Sequence, residues 1–215
     1  MEPKTILCFG DSNTWGYNPS DGSRFPLSVR WTGRMQARLG ADYRVIEEGF
    51  NGRTTVWTDV SEGKISGFTY LPACLESHAP LSLVILMLGT NDLKQKFNVN
   101  AANVGFALMR LIKVIRAAEN ERLPTPKILL ISPMEITEDY RGTFMEDCFG
   151  EGCVEKSKQL SVALKKVAEV ENCAFFDAAH VVKPSGLDGT HLSADGHEKL
   201  AAALVGEVWR LLEKE

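Results

Sequence analysis

Five short apolar runs recur along the chain, without the polar–apolar alternation of a half-exposed strand. Unbroken runs of this kind are typical of strands that are covered on both faces, as in parallel sheets. Segments of helical length, with apolar residues three and four positions apart, lie between the runs. We therefore expect an α/β fold, a three-layer α/β/α sandwich around a five-stranded parallel sheet. The runs span residues 5–9, 43–46, 83–88, 127–131 and 173–176.

The length and composition fit one globular domain. Of the 215 residues, 44% are hydrophobic and 24% are charged, which excludes a disordered, collagen-like or coiled-coil chain. We see no internal repeat or linker, so we expect a single domain over residues 1–215. Residues 50–67 and 134–152 are too long for simple connections, and loops longer than about 12–15 residues are usually lids or binding loops.

Charge and hydropathy exclude several classes of partner. Asp plus Glu outnumber Lys plus Arg by 28 to 24, giving a net charge of −4, whereas nucleic-acid-binding domains usually carry a basic excess. The longest apolar run, 83–88, is far too short to span a membrane, and the N-terminal residues lack the apolar core and cleavage site of a signal peptide. We expect a cytoplasmic protein that binds neither nucleic acid nor membrane.

Cysteine spacing gives no sign of a metal centre. The five cysteines are scattered and form no CxxC pair, whereas a zinc site usually shows repeated, closely spaced Cys or His pairs. We expect reduced thiols, no metal and no cofactor. The cysteines are Cys8, Cys74, Cys148, Cys153 and Cys173.

Polar residues follow the first three predicted strands. In an open α/β sheet, ligands bind beyond the carboxyl ends of the strands, where the strand order reverses. The common order for five βα units is 2-1-3-4-5, which places the ends of strands 1, 2 and 3 side by side. One hydroxyl (Ser12), one carboxamide (Asn91) and a glycine-flexible backbone at Gly52 are then expected to meet in one crevice. These residues belong to Gly-Asp-Ser-Asn-Thr at 10–14, Gly-Phe-Asn-Gly-Arg at 49–53 and Gly-Thr-Asn-Asp at 89–92.

A serine in such a crevice needs a base to become a nucleophile. His191 is the best placed of four histidines, because it lies in a loop after the fifth strand with Asp188 three residues before it. A glycine-containing turn can bring this carboxylate to the ring Nδ1, which fixes the tautomer and supports the imidazolium. Asp177, at the end of the fifth strand, is a rival partner. The other histidines are His78, His180 and His197.

Four blocks, in this order, resemble those of the SGNH (GDSL-type) hydrolase superfamily over essentially the whole chain. They are Gly-Asp-Ser at 10–12, Gly52, Gly-Thr-Asn-Asp at 89–92 and Asp-Gly-Thr-His at 188–191. Asn13 stands where the motif that names the family has Leu. Further stretches, at 8–16, 30–33, 45–49 and 70–72, resemble the bacterial arylesterase/acyltransferase subgroup.

The resemblance implies a role for each block. Ser12 is the expected nucleophile, His191 the base and Asp188 the residue that orients it. The backbone N–H groups of Ser12 and Gly52 and the side-chain amide of Asn91 are the expected oxyanion hole, in which a glycine leaves room for the approaching carbonyl. We expect a lipolytic serine esterase that hydrolyses short-chain, acetyl-type esters through an acyl-enzyme, with acyl transfer to alcohols as a second outcome.

Bulky side chains near the serine in sequence lead us to expect a small substrate pocket. Trp15, Tyr17 and Trp31 are expected to contact the substrate together with Thr90, and large rings there would fill the volume that a long acyl chain needs. The motifs leave open the physiological ester, the balance of hydrolysis and transfer, and the state of any homo-oligomer.

Two other readings of the same loops are possible. An α/β-hydrolase would carry a G-x-S-x-G elbow, but Thr14 replaces the last glycine, and only one strand precedes the serine. A non-catalytic flavodoxin-like module would use the loop after strand 1 to bind a phosphate or nucleotide. Residues 10–18 contain no basic side chain, and Asp11 would repel an anion.

Overall fold

Five parallel strands, numbered along the chain, form one sheet in the order 2-1-3-4-5, as the sequence predicts. The computed structural model describes residues 2–118 and 124–213. Each apolar run coincides with a strand to within about three residues at either end. The strands are β1 (Lys4–Gly10), β2 (Tyr43–Gly49), β3 (Leu83–Met87), β4 (Lys127–Ser132) and β5 (Ala174–Asp177).

Helices cover both faces of the sheet, which gives the three layers. One core packs the helices at 67–78, 101–117 and 153–170 against residues such as Leu7 and Phe9 of β1. The other core packs the helices at 31–39 and 194–212 against Ile6 and Cys8. Alternate residues of one strand thus enter opposite cores, which explains the unbroken apolar runs. The helices are α1 (Ser12–Trp15), α2 (Trp31–Leu39), α3 (Gly67–His78), α4 (Ala101–Ala117), α5 (Phe144–Phe149), α6 (Cys153–Val170) and α7 (Ala194–Leu212).

The register of the central strands brings their ends to one level. Gly10 pairs with Gly49 of β2 on one side and with Met87 of β3 on the other. The segments that follow β1, β2 and β3 therefore leave the sheet together, at the point where the strand order reverses.

The two long segments are more structured than their sequences indicate. Residues 134–152 contain a 3₁₀ turn at Glu138–Tyr140 and the short helix α5, and the antiparallel bridge between Asp59 and Lys64 makes a small hairpin in the segment after β2. Among the helices of residues 2–118 and 124–213, none combines the length and hydropathy needed to cross a membrane.

Candidate active site

Ser12, His191 and Asp188 form a continuous hydrogen-bonded row beyond the carboxyl edge of the sheet. The Ser12 Oγ lies 2.9 Å from the His191 Nε2, and the His191 Nδ1 lies 2.6 Å from the Asp188 Oδ2. All three residues are buried, with 7% of each exposed. Because the carboxylate can only accept, Nδ1 carries the ring proton, and Nε2 accepts the hydrogen bond from the serine hydroxyl. This is the arrangement that converts a hydroxyl into a nucleophile.

Short local turns set the two ends of this row. Ser12 is the first residue of α1, and the Asp11 carboxylate caps that helix by accepting the Asn13 N–H. At the other end, the Asp188 Oδ1 accepts the backbone N–H groups of both Thr190 and His191. Gly189 makes this turn possible, because its φ is +66° and a Cβ there would lie 2.5 Å from the Tyr140 nitrogen.

Asn13 links the two segments directly. Its amide nitrogen donates to the Thr190 carbonyl at 3.2 Å, and its amide oxygen accepts the Leu192 N–H at 2.9 Å. One side chain beside the serine therefore holds the residues on both sides of the histidine. A leucine, the residue of the family motif, could make neither bond, so this departure from the motif has a clear structural role.

The environment of Asp188 keeps it charged. Burial alone would raise its pKa, but the hydrogen bonds from the His191 ring and from two backbone N–H groups lower that pKa below its ordinary value. The rival carboxylate is occupied elsewhere: Asp177 accepts the Ala179 N–H and the Ser161 hydroxyl. Of the two partners considered from the sequence, Asp188 is the one that contacts His191.

Asn91 and Gly52 line the same cleft as Ser12. The Asn91 amide nitrogen lies 3.3 Å from the Arg53 carbonyl and 3.5 Å from the Asp11 Oδ2, so it sits between the segments after β1 and β2. Gly52 has a φ of +79°, a conformation that favours glycine. Both predicted oxyanion donors are therefore brought beside the serine.

Asp92 fixes the segment that carries Gly52. Its fully buried carboxylate accepts the Thr55 N–H at 3.0 Å and the Thr55 hydroxyl. Burial raises the pKa of Asp92 to about 6 and also raises that of the buried Asp11. The sequence showed Asp92 only as the last residue of its block, and its contact with Thr55, 37 residues away, could not be predicted from spacing.

The cleft over the serine is small and has two kinds of wall. Its volume is about 170 Å³, well below the 300–1,000 Å³ typical of sites for drug-sized ligands. Segment 134–152 supplies an apolar wall. The other wall is polar and contains an ion pair, in which the Lys94 ammonium lies 2.8 Å from the Glu62 carboxylate. The apolar wall consists of Phe144, Met145, Cys148 and Phe149, and the polar wall of Asn51, Glu62, Lys64 and Lys94.

The predicted substrate-binding residues divide into two pairs. Tyr17 and Thr90 line the cleft, and the Tyr17 ring lies 4.3 Å from that of His191. The prediction for Trp31 is wrong: the residue is fully buried in the core beneath α2, where its Nε1 donates to the Asn13 carbonyl. Trp15 lies outside the cleft, with its ring against the Arg24 guanidinium. Nearness in sequence to Ser12 thus placed Tyr17 at the cleft correctly but failed for Trp15 and Trp31.

A parallel sheet in the order 2-1-3-4-5, with a linked serine, histidine and aspartate at its carboxyl edge, defines a hydrolase of the SGNH class. Residues 8–199 match the GDSL-like Lipase/Acylhydrolase family, and the chain belongs to this family. The resemblance noted in the sequence is thereby confirmed.

Solved structures agree with this assignment. The native aryl esterase of M. smegmatis is 38% identical, with a TM-score of 0.92 over 97% of this chain and 100% of that one. Est24, a carbohydrate acetylesterase from Sinorhizobium meliloti, is 39% identical, with a TM-score of 0.91 over 97% of this chain and 99% of that one. No curated protein matches the chain significantly. The protein is a carboxylic ester hydrolase, which excludes the non-catalytic flavodoxin-like module.

Proposed function

We propose that the protein hydrolyses short-chain, acetyl-type esters through an acyl-enzyme formed on Ser12. The observation that carries this proposal is the unbroken row from Asp188 through His191 to Ser12, which opens into a cleft of only about 170 Å³. The row supplies an activated nucleophile, and the small cleft limits the acyl group that can reach it.

The geometry supports a two-step reaction. The His191 Nε2 takes the Ser12 proton as Oγ attacks the ester carbonyl, and Asp188 stabilises the imidazolium that forms. The N–H groups of Ser12 and Gly52 and the Asn91 amide stabilise the oxyanion. His191 then returns the proton to the departing alcohol, leaving an acyl-enzyme. Water, activated by the same base, releases the acid.

The apolar wall limits the length of the acyl group. Phe144 and Phe149 fill volume that further methylenes would need, and each methylene that cannot be buried forgoes about 0.8 kcal/mol. Acetyl and propionyl esters should therefore exceed octanoyl esters in kcat/KM by at least about tenfold. A series of p-nitrophenyl esters of increasing acyl length measures this ratio, and equal or faster turnover of the octanoyl ester would contradict it.

Phe144 allows a direct test of this size limit. The residue lines the cleft but is 71% exposed, so Phe144→Ala should widen the cleft without unfolding the protein. We expect the octanoyl-to-acetyl ratio of kcat/KM to rise. Phe106→Ala is the matched control, because Phe106 is 68% exposed on α4, away from the cleft, and this variant should leave the ratio unchanged. Equal octanoyl-to-acetyl ratios in the two variants would show that Phe144 does not limit the length of the acyl group.

The alcohol part of the substrate is less constrained. Aryl esterase and carbohydrate acetylesterase are the activities named for the two similar structures, and the polar wall with Glu62, Lys64 and Lys94 suits an alcohol that carries hydroxyl groups. We include acyl transfer in the proposal, because an alcohol held at this wall can replace water at the acyl-enzyme. Measuring the ratio of new ester to free acid as an added alcohol is varied tests this step.

We also propose a cytoplasmic location. Its support is the set of five free cysteines, which suits a reducing compartment. Fractionation of cells that produce the protein tests it, and recovery in an extracytoplasmic fraction would contradict it.

A further inference from the structure

Away from the cleft, three side chains of different chemistry converge between β2 and α3. One ligand atom from each of Glu48, Cys74 and His78 lies within 4.8 Å of the other two. The Glu48 Oε1 is 2.8 Å from the His78 Nε2. The sequence predicts no metal site here, because these residues do not form the paired motifs of zinc-binding domains.

The helix supplies two of the three groups from one face. Cys74 and His78 are four residues apart on α3, which places them one above the other toward Glu48 at the end of β2. Tyr70, one turn earlier, also reaches this carboxylate, and its hydroxyl donates to the Glu48 Oε2 at 3.2 Å. This bond orients the carboxylate and leaves Oε1 toward the imidazole. Ligating carboxylates in metal sites are commonly held by such a partner.

The cluster is accessible from solvent on one side. The side chains of His78 and Glu48 are 24% and 19% exposed, whereas Cys74 is buried. Burial, with a smaller contribution from the Glu48 charge, raises the pKa of Cys74 to about 12, so without a cation the thiol keeps its proton. The Arg53 guanidinium lies over the Tyr70 ring, and its charge opposes a cation here. Glu48 and a Cys74 thiolate together carry two negative charges, which outweigh the single positive charge of Arg53 and favour a bound cation.

We propose that Glu48, Cys74 and His78 form a binding site for Zn²⁺, with water as the fourth ligand. Sulfur, imidazole nitrogen and carboxylate oxygen are the donors that zinc accepts in tetrahedral sites, at about 2.0–2.3 Å. Such bonds place the donors roughly 3.3–3.8 Å apart, so rotation of the side chains must bring the more distant donors closer.

Binding of Zn²⁺ releases one proton from the site. The S–H bond of Cys74 breaks, a sulfur–zinc bond forms, and the proton passes to solvent. Without the metal, the Nε2–H of His78 donates to the Glu48 carboxylate. Zinc binds the neutral imidazole at Nε2, so this proton passes to solvent and the ring takes one up at Nδ1, with no net change in the protons of the ring. The Glu48 Oε1 exchanges its hydrogen bond with the imidazole for a bond to the metal. The ion would join the end of β2 to the last turns of α3.

Competition with a chromophoric chelator tests the site in the full-length, metal-stripped protein. The wild type should take up one Zn²⁺, and Co²⁺ in its place should give a thiolate-to-cobalt charge-transfer band. Cys74→Ser should abolish the band, and Cys74→Ser and His78→Gln should each weaken zinc binding by at least about tenfold. Cys173→Ser is the matched control, because Cys173 is a half-buried thiol beside Glu171 and should leave both signals unchanged.

Folding is checked separately. The melting temperature of each stripped variant is measured first, and added Zn²⁺ should raise it in the wild type and in Cys173→Ser but less in His78→Gln. His78 is partly exposed, so its variant remains informative if Cys74→Ser folds poorly. The absence of zinc uptake by the wild type, or a charge-transfer band that survives in folded Cys74→Ser, would overturn the proposal. If the proposed esterase function failed, these binding results would not change.

Discussion

Asn91 is the predicted oxyanion donor whose role can be tested most cleanly. Its amide nitrogen lies between the Arg53 carbonyl and the Asp11 carboxylate and lines the cleft beside Ser12. A donor that is held in place before the reaction stabilises charge mainly in the transition state. Asn91→Ala should therefore lower kcat by about 10²–10³-fold, or about 2.7–4 kcal/mol, with little change in KM. Steady-state kinetics on an acetyl ester measures both constants, and an effect confined to KM would make Asn91 a binding residue instead.

Asp188 is predicted to orient and support the base. Asp188→Asn should lower kcat strongly, up to about 10⁴-fold, because the amide no longer fixes the tautomer or stabilises the imidazolium. His191→Ala should lower kcat further, since it removes the base itself. Asp177→Asn is the matched control: Asp177 caps the turn Ala178–His180 and does not contact His191. Kinetics of the three variants would contradict the assignment if Asp177→Asn proved the more damaging carboxylate change.

The residues of the site show which contacts could be predicted from the sequence. Ser12, Asp188 and His191 were predictable because the strand order and the family motifs indicate them, although Ser12 and His191 are 179 residues apart. The contacts of Asn13 with Thr190 and Leu192 were not, because neither the strand order nor a motif specifies them. Trp31 was assigned to the substrate because of its position in sequence, but its ring completes the core under α2.

At the scale of elements, His197 joins α7 to the start of α2. Its Nδ1 accepts the Trp31 N–H at 3.2 Å, one of the donors that a helix leaves unpaired at its first turn. Only a neutral ring can accept this bond. Burial, together with the nearby charges of Arg34 and Arg30, lowers the pKa of His197 to about 4.

This depressed pKa predicts acid sensitivity. The unfolded chain takes up the proton near pH 6.5 and the folded protein only near pH 4, so the stability contributed by neutral His197 is complete above pH 6.5 and is lost as pH falls toward 4. Between pH 7 and pH 5 the loss is about 2 kcal/mol. His197→Asn, which keeps an acceptor near the position of Nδ1 and cannot titrate, should show a smaller loss.

Urea unfolding at the two pH values measures this difference. Asp92, whose pKa is raised to about 6, changes stability in the opposite direction, and subtraction of variant from wild type cancels its contribution. His180→Asn is the control, because the His180 side chain is 83% exposed. If His197→Asn lost as much stability as the wild type between pH 7 and pH 5, the account of this contact would be wrong.

The strands and helices also show which structural features a sequence pattern can predict and which it cannot. Strands were predictable because burial on both faces requires unbroken apolar runs. The 134–152 segment was recognisable by its length, but Phe144 and Phe149 could not be placed in the cleft, since the path of α5 depends on contacts with distant segments. The Cys74–His78 pair on α3 was likewise not identified, because its third member, Glu48, lies on a different element.

At the scale of the whole molecule, the strand order is what assembles the site. Because β1 lies between β2 and β3, the segments that carry Ser12, Gly52 and Asn91 leave the sheet side by side. His191 comes from beyond β5, two strands further along the sheet from β3, and its loop returns to the serine. One crevice thus gathers residues from both ends of the chain.

Active-site labelling tests whether Ser12 is the nucleophile of this assembled site. The protein is treated with a fluorophosphonate, and the adduct is located by peptide mass spectrometry. We predict one adduct per chain, on Ser12, and none on a folded Ser12→Ala variant that has also lost esterase activity. An adduct on another serine, or an active Ser12→Ala protein, would show that Ser12 is not the nucleophile.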